Sequence, residues 1–357
     1  MVGSTTTTLN YSHSHIHVYA LGRWLGMDVA LLILSILIFP GLMFITSLAL
    51  FSEWLLRKLA ARMQNRMGPS YTGPIGIIQP FADLIKLLFA KEVKKQRYSA
   101  IGMAEIGLIL SISSVVVSLL LLPISPIRFA STYDIIVFIY FYAVWHTIGL
   151  IIAVLSYPNP FTVAGLSRLI AITVVVEPTV FIALLIPTLL ASNMGCTPQY
   201  SIFCASTWSW RLWLESPTSF IAMALGLVSI LIASQAKLGL KPFDIPEAEQ
   251  ELIAGHITEY SGTLLALYNL SHDIKLAFTA LIIAYLFLGG PYPYGHLNIA
   301  GVLLLILKYL ASLTVLTAIR ASFGRFRIDQ GLNIIMKYGL APSIAGLIAA
   351  LIDVLLL

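Results

Sequence analysis

The chain contains 357 residues, of which 59% are hydrophobic and 10% are charged. A soluble domain averages about 25% charged residues, so this chain has too little charge to cover a water-facing surface. The composition instead indicates a protein that places most of its surface against lipid or other membrane subunits. The net charge of +5 could suit nucleic acid, but the cations follow a membrane topology, and we expect no nucleic-acid partner.

Residues 1–28 are rich in Ser, Thr and His, and we interpret them as an N-terminal extension. They carry neither the basic nor the apolar region of a signal peptide. His13, His15 and His17 alternate as on one face of a strand, a pattern we attribute to solvated residues rather than to a metal site. The remaining residues, 29–357, are predicted to form a single transmembrane domain.

Eight stretches approach the roughly 20 apolar residues that a membrane-spanning helix needs. They are residues 29–51, 101–122, 133–155, 163–190, 217–237, 264–288, 298–320 and 338–356. The sequence contains no internal repeat, which argues against a stand-alone ion transporter built from inverted repeats. The predicted fold class is an all-α polytopic membrane protein with about eight transmembrane helices plus an amphipathic interfacial helix.

The interfacial helix is predicted over residues 73–92. Its apolar residues Ile77, Phe81, Leu84, Ile85 and Leu88 fall on one helical face, while charges gather at one end of the segment. A helix of this kind lies in the membrane interface. It either merely packs there or forms one wall of an entrance from the lipid.

The Lys and Arg residues predict the orientation of the chain. Fifteen of the 21 lie in or beside the loops 52–100, 156–162, 238–262 and 321–337, against three on the other side. By the positive-inside rule these loops are cytoplasmic and both termini lie outside, and we expect the cell membrane of a prokaryote. The external loop 193–216 carries Cys196 and Cys204, which form either a disulfide or two unrelated buried thiols.

Five of the 16 carboxylates lie within residues 241–262, namely Asp244, Glu247, Glu249, Glu251 and Glu259. The spacing of Asp244 and Glu247 fits a capping box, which predicts a short helix over 245–254 with Glu247 and Glu251 on one face. The helix dipole explains acids in a first turn, but it does not explain Glu251 and Glu259. Carboxylates held close together can share a proton near neutral pH, as a proton relay requires.

Glu177 lies in the middle of the fourth span, directly before Pro178. An ionisable residue at this depth indicates either a functional group or a carboxyl that is hydrogen-bonded to a neighbouring helix. Arg168 is nine residues earlier and is therefore not its local partner. Lys275 and Lys308 also fall within spans, and we expect them to snorkel.

The sequence contains no Walker loop, dinucleotide-binding glycine pattern, CxxC pair or HExxH motif. Its two cysteines are too few for an Fe–S site, which usually takes four ligands. We therefore predict neither a metal site nor a redox centre in this chain.

Three stretches of the sequence resemble the family of quinone-module membrane subunits of complex I. The first is Arg62-Met-Gln-Asn-Arg-Met-Gly-Pro69 with Gly-Pro-Ile-Gly-Ile-Ile-Gln-Pro-Phe-Ala-Asp83. The second is Pro242-Phe-Asp-Ile-Pro-Glu-Ala-Glu-Gln-Glu251 with Thr258-Glu-Tyr-Ser-Gly262, and the third is Arg325-Phe-Arg-Ile-Asp-Gln330. Together with eight spans in the same order, the resemblance covers residues 29–357.

This family has two branches, the heel subunit of quinone-reducing complex I and its homologue in membrane-bound hydrogenases and related ferredoxin-driven complexes. The loop Gly68-Pro-Ser-Tyr-Thr-Gly-Pro-Ile-Gly76 is similar to the quinone branch, whereas Val175-Val-Glu-Pro178 is similar to the hydrogenase branch. The resemblance implies a membrane-anchor subunit that forms the quinone cavity and couples quinone reduction to proton translocation. The alternative is the equivalent subunit of a ferredoxin-linked hydrogenase or sulfur-reducing complex that moves H⁺ or Na⁺ without quinone.

The resemblance also implies roles for individual residues. The proton-coupling residues would be Glu177, Glu247, Glu249, Glu251, Glu259 and Asp83. The residues that shape the quinone cavity or dock the peripheral arm would be Arg62, Arg66, Gln79, Phe243 and Arg327.

The enzyme that the resemblance implies is a multi-subunit NADH- or ferredoxin-type quinone oxidoreductase. In it this chain binds no cofactor alone, the quinone is a substrate, and Fe–S clusters lie in neighbouring subunits. The implied partners are the peripheral-arm Fe–S and quinone-site subunits, small membrane subunits, antiporter-like subunits and the lipid bilayer.

Overall fold

The computed structural model describes residues 29–94, 96–125, 131–295 and 298–356. The predictions made for residues 1–28, including His13, His15 and His17, lie outside these ranges. The side chain of Glu249 also lies outside the described part of the structure.

The described residues form helices and short connections, without a β-strand among them. In chain order the helices are α1 (Val29–Leu37), α2 (Leu42–Met63), α3 (Gln79–Ile85), α4 (Ile101–Leu121), α5 (Asp134–Leu155), α6 (Pro160–Asn193), α7 (Ile202–Leu212), α8 (Pro217–Lys237), α9 (Glu249–Leu252), α10 (Gly262–Phe287), α11 (Ile299–Ser322) and α12 (Ile328–Leu355).

Within these ranges, eight segments are long and apolar enough to cross a membrane. The end of α1 and all of α2 make the first, Ile33–Met63, and α4, α5, α6, α8, α10, α11 and α12 make the others. The predicted all-α polytopic membrane protein with eight spans is confirmed.

The predicted bounds of the first and last spans were wrong. The first span continues to Met63 rather than to residue 51, because Arg57, Lys58 and Arg62 are good helix formers and extend the helix beyond its apolar part. It is also interrupted between α1 and α2 at Pro40, which has no N–H for a helical hydrogen bond. The last span begins at Ile328 rather than at residue 338, so the predicted loop 321–337 is much shorter.

Helix α10 is the centre of the bundle. Of the most apolar 18-residue stretch of α10, 83% is buried, whereas the same stretch of the other spans is between 28% and 56% buried. It packs against α2, α4 and α11. Polar residues on α10 are therefore held inside protein rather than against lipid.

Helix α6 is the longest, with 34 residues, and it continues through Pro178 and Pro187. At 1.5 Å per residue it is about 51 Å long, well beyond the roughly 30 Å of the hydrocarbon core. One helix can therefore carry Glu177 in its middle and place Arg168 near the connections at one end.

The connections between the spans meet at one end of the bundle, which we call the basic end. The backbone N–H of Lys94 donates to Ser261 Oγ at 2.8 Å, and the N–H of Ala100 donates to the carbonyl of Ser156 at 3.0 Å. The N–H of Phe326 donates to the carbonyl of Pro242 at 3.0 Å. The loops that hold most of the Lys and Arg residues thus share one end.

The helix predicted over 245–254 was wrong. Only Glu249–Leu252 is helical, and the carboxylate of Asp244 caps no helix. It instead accepts two hydrogen bonds from the Arg325 guanidinium, both at 2.8 Å. This two-pronged charge pair is worth more than a cap, so it overrides the local signal.

The segment 241–262 folds back on itself. Gly255 has a φ of +56°, and a Cβ at this position would lie 1.9 Å from the carbonyl oxygen of Pro246. Only glycine combines this backbone conformation with so close an approach. The turn brings both halves of the acidic segment together at the basic end.

The predicted interfacial helix over 73–92 is shorter than expected. A single tight turn covers Pro74–Gly76, and the regular helix is α3, followed by a wider turn over Lys86–Ala90. Ile77 precedes the helix, so the predicted apolar face is not continuous.

At the opposite end of the bundle, Cys196 and Cys204 form a disulfide, which was one of the two predicted alternatives for this pair.

We predict that Gly107→Ala destabilises the protein, because α4 and α5 touch through their backbones at this point. A Cβ on Gly107 would lie 2.6 Å from the carbonyl oxygen of Gly149 and 2.7 Å from the nitrogen of Ala153. Overpacking of this kind costs about 1–3 kcal/mol. The melting temperature of the detergent-solubilised complex measures the loss.

The matched control is Gly102→Ala on the same helix, where an added Cβ meets nothing within 4 Å. This variant should melt at the wild-type temperature or slightly above it, since Ala favours the helix. Equal melting temperatures for the two variants would contradict the close approach of α4 and α5.

We predict that Asp244→Asn loosens the acidic segment without unfolding the bundle. The change removes the negative charge that Arg325 holds, and hydrogen bonds to charged groups contribute about 1.5–3 kcal/mol each. Amide hydrogen exchange in residues 241–258 should become at least about tenfold faster. Asp329→Asn is the control, because Asp329 is exposed and forms no ion pair within the described residues. Wild-type exchange rates in the Asp244 variant would refute this anchoring role.

Candidate functional site

Glu177 forms an ion pair inside the bundle. Its Oε1 lies 2.5 Å from Lys237 Nζ, at the end of α8, and 2.9 Å from the hydroxyl of Thr147 on α5. The side chain of Lys237 is only 3% exposed and that of Glu177 18% exposed. Arg168 is not involved, as the sequence predicted. Glu177 is thus bonded to two neighbouring helices, but these bonds engage only one of its two carboxylate oxygens.

The other oxygen of Glu177, Oε2, is buried without a hydrogen-bond partner among the described residues, and so is Nε2 of His146. Both residues line a small cavity between α5, α6, α8 and α10, which Lys275 and Pro246 also line. The cavity offers about 20 Å³ to a water molecule, enough for roughly one. Its wall therefore joins Glu177, in the middle of α6, to Pro246 of the acidic segment.

A chain of hydroxyls continues from His146 across α4 to α10. His146 Nδ1 lies 2.8 Å from Ser111 Oγ, which lies 2.8 Å from Ser271 Oγ. The next two residues on α10 form a second pair, with His272 Nδ1 at 3.5 Å from Asp273 Oδ1. Polar groups thus cross the bundle from α6 to α10.

Glu251 and Glu247 of the acidic segment pair with different helices. Glu251 Oε2 lies 2.5 Å from Arg168 Nη1 on α6. Glu247 Oε1 accepts a hydrogen bond from the Tyr268 hydroxyl on α10 at 2.6 Å. The predicted arrangement of Glu247 and Glu251 as neighbours on one helical face was wrong, because the helix that would align them does not form.

His256 completes the surroundings of Glu247. Its Nε2 lies 2.7 Å from the Tyr268 hydroxyl and 3.9 Å from Glu247 Oε1. Burial lowers the pKa of His256 below its ordinary value, and the nearby Glu247 carboxylate opposes that shift. The imidazole is therefore neutral at neutral pH. Because the Tyr268 proton points to Glu247, the single N–H of His256 is assigned to Nε2 and donates to the tyrosine oxygen.

Glu259 and Asp83 lie apart from this group. Glu259 accepts hydrogen bonds from the side-chain amides of Gln96 and Asn159, so it ties three connections of the basic end together. Asp83 on α3 lies 3.3 Å from Arg57 Nη1 and accepts from Gln79 Nε2 at 2.9 Å. The five predicted proton-coupling acids whose side chains the structure describes, Glu177, Glu247, Glu251, Glu259 and Asp83, therefore do not form one contiguous cluster.

A larger cavity lies at the basic end, and we call it the basic cavity. Its volume is about 410 Å³. Four cationic side chains line it, together with five other residues and no carboxylate, namely Arg57, Arg66, Lys241, Arg320, Ala60, Gln64, Met67, Gly68 and Pro69. Arg57 has acidic partners outside the lining, because its Nε lies 2.6 Å from Glu53 Oε1.

Only one of the residues predicted to shape a quinone cavity lines the basic cavity, and that residue is Arg66. Arg62 and Arg327 are exposed, outside its wall. Phe243 is 3% exposed and packs against Phe326 in the core, with ring centroids 5.8 Å apart. Gln79 contacts Asp83 and Thr72 instead.

The sequence alone did not identify several of the residues that line the two cavities. Lys237, Lys275 and His146 come from three different helices, and no sequence spacing relates them to Glu177. Lys275 was predicted to snorkel, but it lies mid-helix on α10 and is 7% exposed. Lys308 caps the carbonyls of Gly290 and Tyr292 at 2.8 and 3.0 Å.

The described residues contain no group of three or more His, Cys, Asp or Glu side chains placed to hold a metal ion. The site brings together carboxylates, lysines, imidazoles and hydroxyls from several helices, and buried groups of these kinds can hold charge and transfer protons.

Comparison with known proteins agrees with the sequence motifs. Residues 34–351 match the model of a family described as NADH dehydrogenase. The fold is similar to that of a chain from the membrane-bound sulfane sulfur reductase, an archaeal respiratory membrane complex, with a TM-score of 0.70 and 24% identity over 86% of this chain and 96% of that chain. The family model spans most of the sequence, and the chain therefore belongs to this NADH dehydrogenase family of complex I-like membrane subunits, as its motifs predicted.

Proposed function

We propose that this chain is the membrane-anchor subunit of a respiratory oxidoreductase that reduces a lipid-soluble quinone and translocates protons across the cell membrane of a prokaryote. The observation that carries the proposal is the basic cavity of about 410 Å³, which is lined by four cations. The chain supplies no redox centre in this scheme, and electrons arrive from an Fe–S cluster in a neighbouring subunit.

The basic cavity suits a quinone head group in size and in charge. Its volume falls in the range of about 300–1,000 Å³ that is usual for small-molecule sites. Reduction of a quinone places negative charge on its oxygens before protons arrive. Cations that line the site where this charge develops stabilise it, and Arg66, Lys241 and Arg320 line the basic cavity.

A charge that appears in the basic cavity can act on the interior of the bundle through Arg57. This residue lines the cavity and also pairs with Glu53 and Asp83. Its charge and that of Glu53 act on Asp273, which is buried on α10. A change at the quinone therefore reaches buried ionisable groups, where charges are poorly screened.

The second half of the route is hydrogen-bonded only in part. Ser271, the residue before His272 and Asp273 on α10, bonds through Ser111 to His146, at the wall of the cavity that holds Glu177. We propose that these groups pass the change on as a shift of protons. The acidic segment provides further carboxylates beside that cavity, since Pro246 lines it.

We propose that the basic end faces the cytoplasm, following the positive-inside rule. The peripheral-arm subunits would then dock on its loops, where the exposed Arg62 and Arg327 offer positive charge to an acidic partner. Antiporter-like and small membrane subunits would pack along the spans.

The alternative is a ferredoxin-linked hydrogenase or sulfur-reducing complex that moves H⁺ or Na⁺ without quinone. The sequence Val175-Val-Glu-Pro178 favours it, because it is similar to that branch of the family. The complex purified through a tag on this chain separates the two. Reduction of a short-chain quinone analogue supports the proposal, whereas hydrogen evolution or polysulfide reduction without quinone reduction supports the alternative.

We predict that Glu177→Gln leaves the complex assembled but lowers quinone reduction and proton translocation together. The amide keeps the shape of the carboxyl and its hydrogen bond to Thr147, but it cannot take up a proton or balance Lys237. Loss of a positioned proton carrier lowers rates by about 10²–10⁴-fold. Quinone reduction in solubilised complex and acidification in inverted vesicles measure the two activities.

The control for this variant is Glu105→Gln on α4, where the carboxyl is exposed. It should keep both activities near the wild-type level. Proton translocation that persists in the Glu177 variant would exclude the proposed coupling role.

We predict that Arg320→Gln and Lys241→Gln each raise the KM for a quinone analogue by about tenfold. Each removes one charge-assisted contact to the head group, worth about 1.5–3 kcal/mol. Lys337→Gln, an exposed lysine on α12 outside the cavity, is the charge-matched control. If all three variants share one KM, the basic cavity is not the quinone site.

A further inference from the structure

Lys275 is a buried cation without a counter-ion in direct contact. It lies in the middle of α10 and is 7% exposed. No described carboxylate lies within 4.0 Å of its ammonium, whereas Lys237 on the neighbouring helix is paired with Glu177 at 2.5 Å. A charge at this depth is expensive unless it is compensated, so such residues in membrane proteins mark functional positions.

The partly compensating charges come from two carboxylates on different elements. Glu177 on α6 and Glu247 in the acidic segment both act electrostatically on Lys275. Lys237 repels it from α8. Lys275 is thus attracted by two acids, Glu177 in the middle of α6 and Glu247 at the basic end.

On the Glu177 side, the cavity provides the contact. Lys275 lines it together with Glu177 and His146, and Glu177 Oε2 is buried there without a hydrogen-bond partner among the described residues. Lys237 already occupies Oε1. One water molecule in this space can hydrogen-bond to Oε2 and link it electrostatically to the ammonium of Lys275.

On the Glu247 side, the link runs through α10 itself. Tyr268 holds the Glu247 carboxylate at 2.6 Å and lies two helical turns before Lys275. Pro246, the residue before Glu247, lines the cavity beside Lys275. The acid and the lysine therefore keep a fixed relation, because both are attached to one rigid helix.

We propose that Lys275 is a positioning residue that couples the protonation of Glu247 electrostatically to that of Glu177. The inference rests on the proposed function, in which Glu177 couples protons. When Glu247 takes up a proton, the flexible ammonium of Lys275 is no longer attracted towards the acidic segment, so it moves closer to Glu177 and stabilises the ionised carboxylate more strongly. When Glu247 is ionised, the ammonium is held between the two acids and stabilises Glu177 less.

Other ionisable groups lie near Lys275 and limit how far its charge can shift the protonation of Glu177. His146 on α5 and His256 of the acidic segment lie near Lys275, as does His272 on its own helix. Asp273 is two residues away and faces α2, about 200° around α10.

The test is infrared difference spectroscopy of the purified complex, following the C=O band of protonated Glu177 as the pH is changed. The band is assigned by its loss in Glu177→Gln. Removing the cation favours the neutral carboxyl, so in Lys275→Met the midpoint should move to higher pH by roughly one unit. Lys275→Arg keeps the charge and should leave the midpoint within a few tenths of a unit.

Two further variants guard against a merely structural effect. Lys275→Gln keeps polarity without charge and should show the same shift that is expected of Lys275→Met. It replaces the methionine variant if that variant fails to assemble. Lys308→Met removes another lysine from a span, outside both cavities, and should leave the Glu177 midpoint unchanged.

Coupling itself is measured by a double-mutant cycle with Glu247→Gln. In the presence of Lys275 this change should move the Glu177 midpoint to lower pH by about half a unit or more, and in the Lys275→Met background by much less. An unchanged midpoint in both neutral variants of Lys275, or an equal effect of Glu247→Gln with and without Lys275, would overturn the proposal. The infrared readout needs no turnover, so loss of the quinone function alone would leave this test intact.

Discussion

The cost of placing charge inside a membrane-spanning bundle constrains the arrangement of this protein more than any other interaction. The pair of Glu177 and Lys237 exists because neither group could be buried alone at acceptable cost. To form it, α8 has to end at the level of the middle of α6. The length of α6 and its continuation beyond the hydrocarbon core follow from the same need, since its outer part also supplies Arg168 to the acidic segment.

The same constraint explains the acidic segment. Its four described carboxylates are not stacked against one another, because each contacts a donor on a different element: Arg325 for Asp244, Tyr268 for Glu247, Arg168 for Glu251 and the amides of Gln96 and Asn159 for Glu259. These contacts attach one loop to α6, α10 and the neighbouring connections. The acids that cluster in the sequence thus anchor this loop, and their contacts hold it beside the Glu177 cavity.

The sequence predicted what depends on composition and local pattern. Eight spans, their order and the common end of the basic loops follow from hydropathy and charge, and the family follows from three motifs. Several span and helix bounds failed because helix ends are weakly encoded in hydropathy, and other predictions failed where distant charges compete with local signals. Asp244 looked like a helix cap, but Arg325, 81 residues away, holds it instead. Lys275 looked like a snorkelling lysine, because its position on the most buried helix cannot be read from one sequence.

Charges are compensated unevenly across the molecule, and the sites where compensation is incomplete are the ones suited to chemistry. Most carboxylates at the basic end are satisfied by close donors, whereas the basic cavity gathers four cations without an acid in its wall. Near Glu177, two lysines approach a single carboxylate. Both sites are therefore poised to gain from added negative charge, and they are separated by buried groups whose interactions water does not screen. A negative charge that forms in the first site, on the proposed function a reduced quinone, raises the free energy of every other anion along the route. The system lowers that energy again by taking up protons, which is the physical form that coupling over this distance requires.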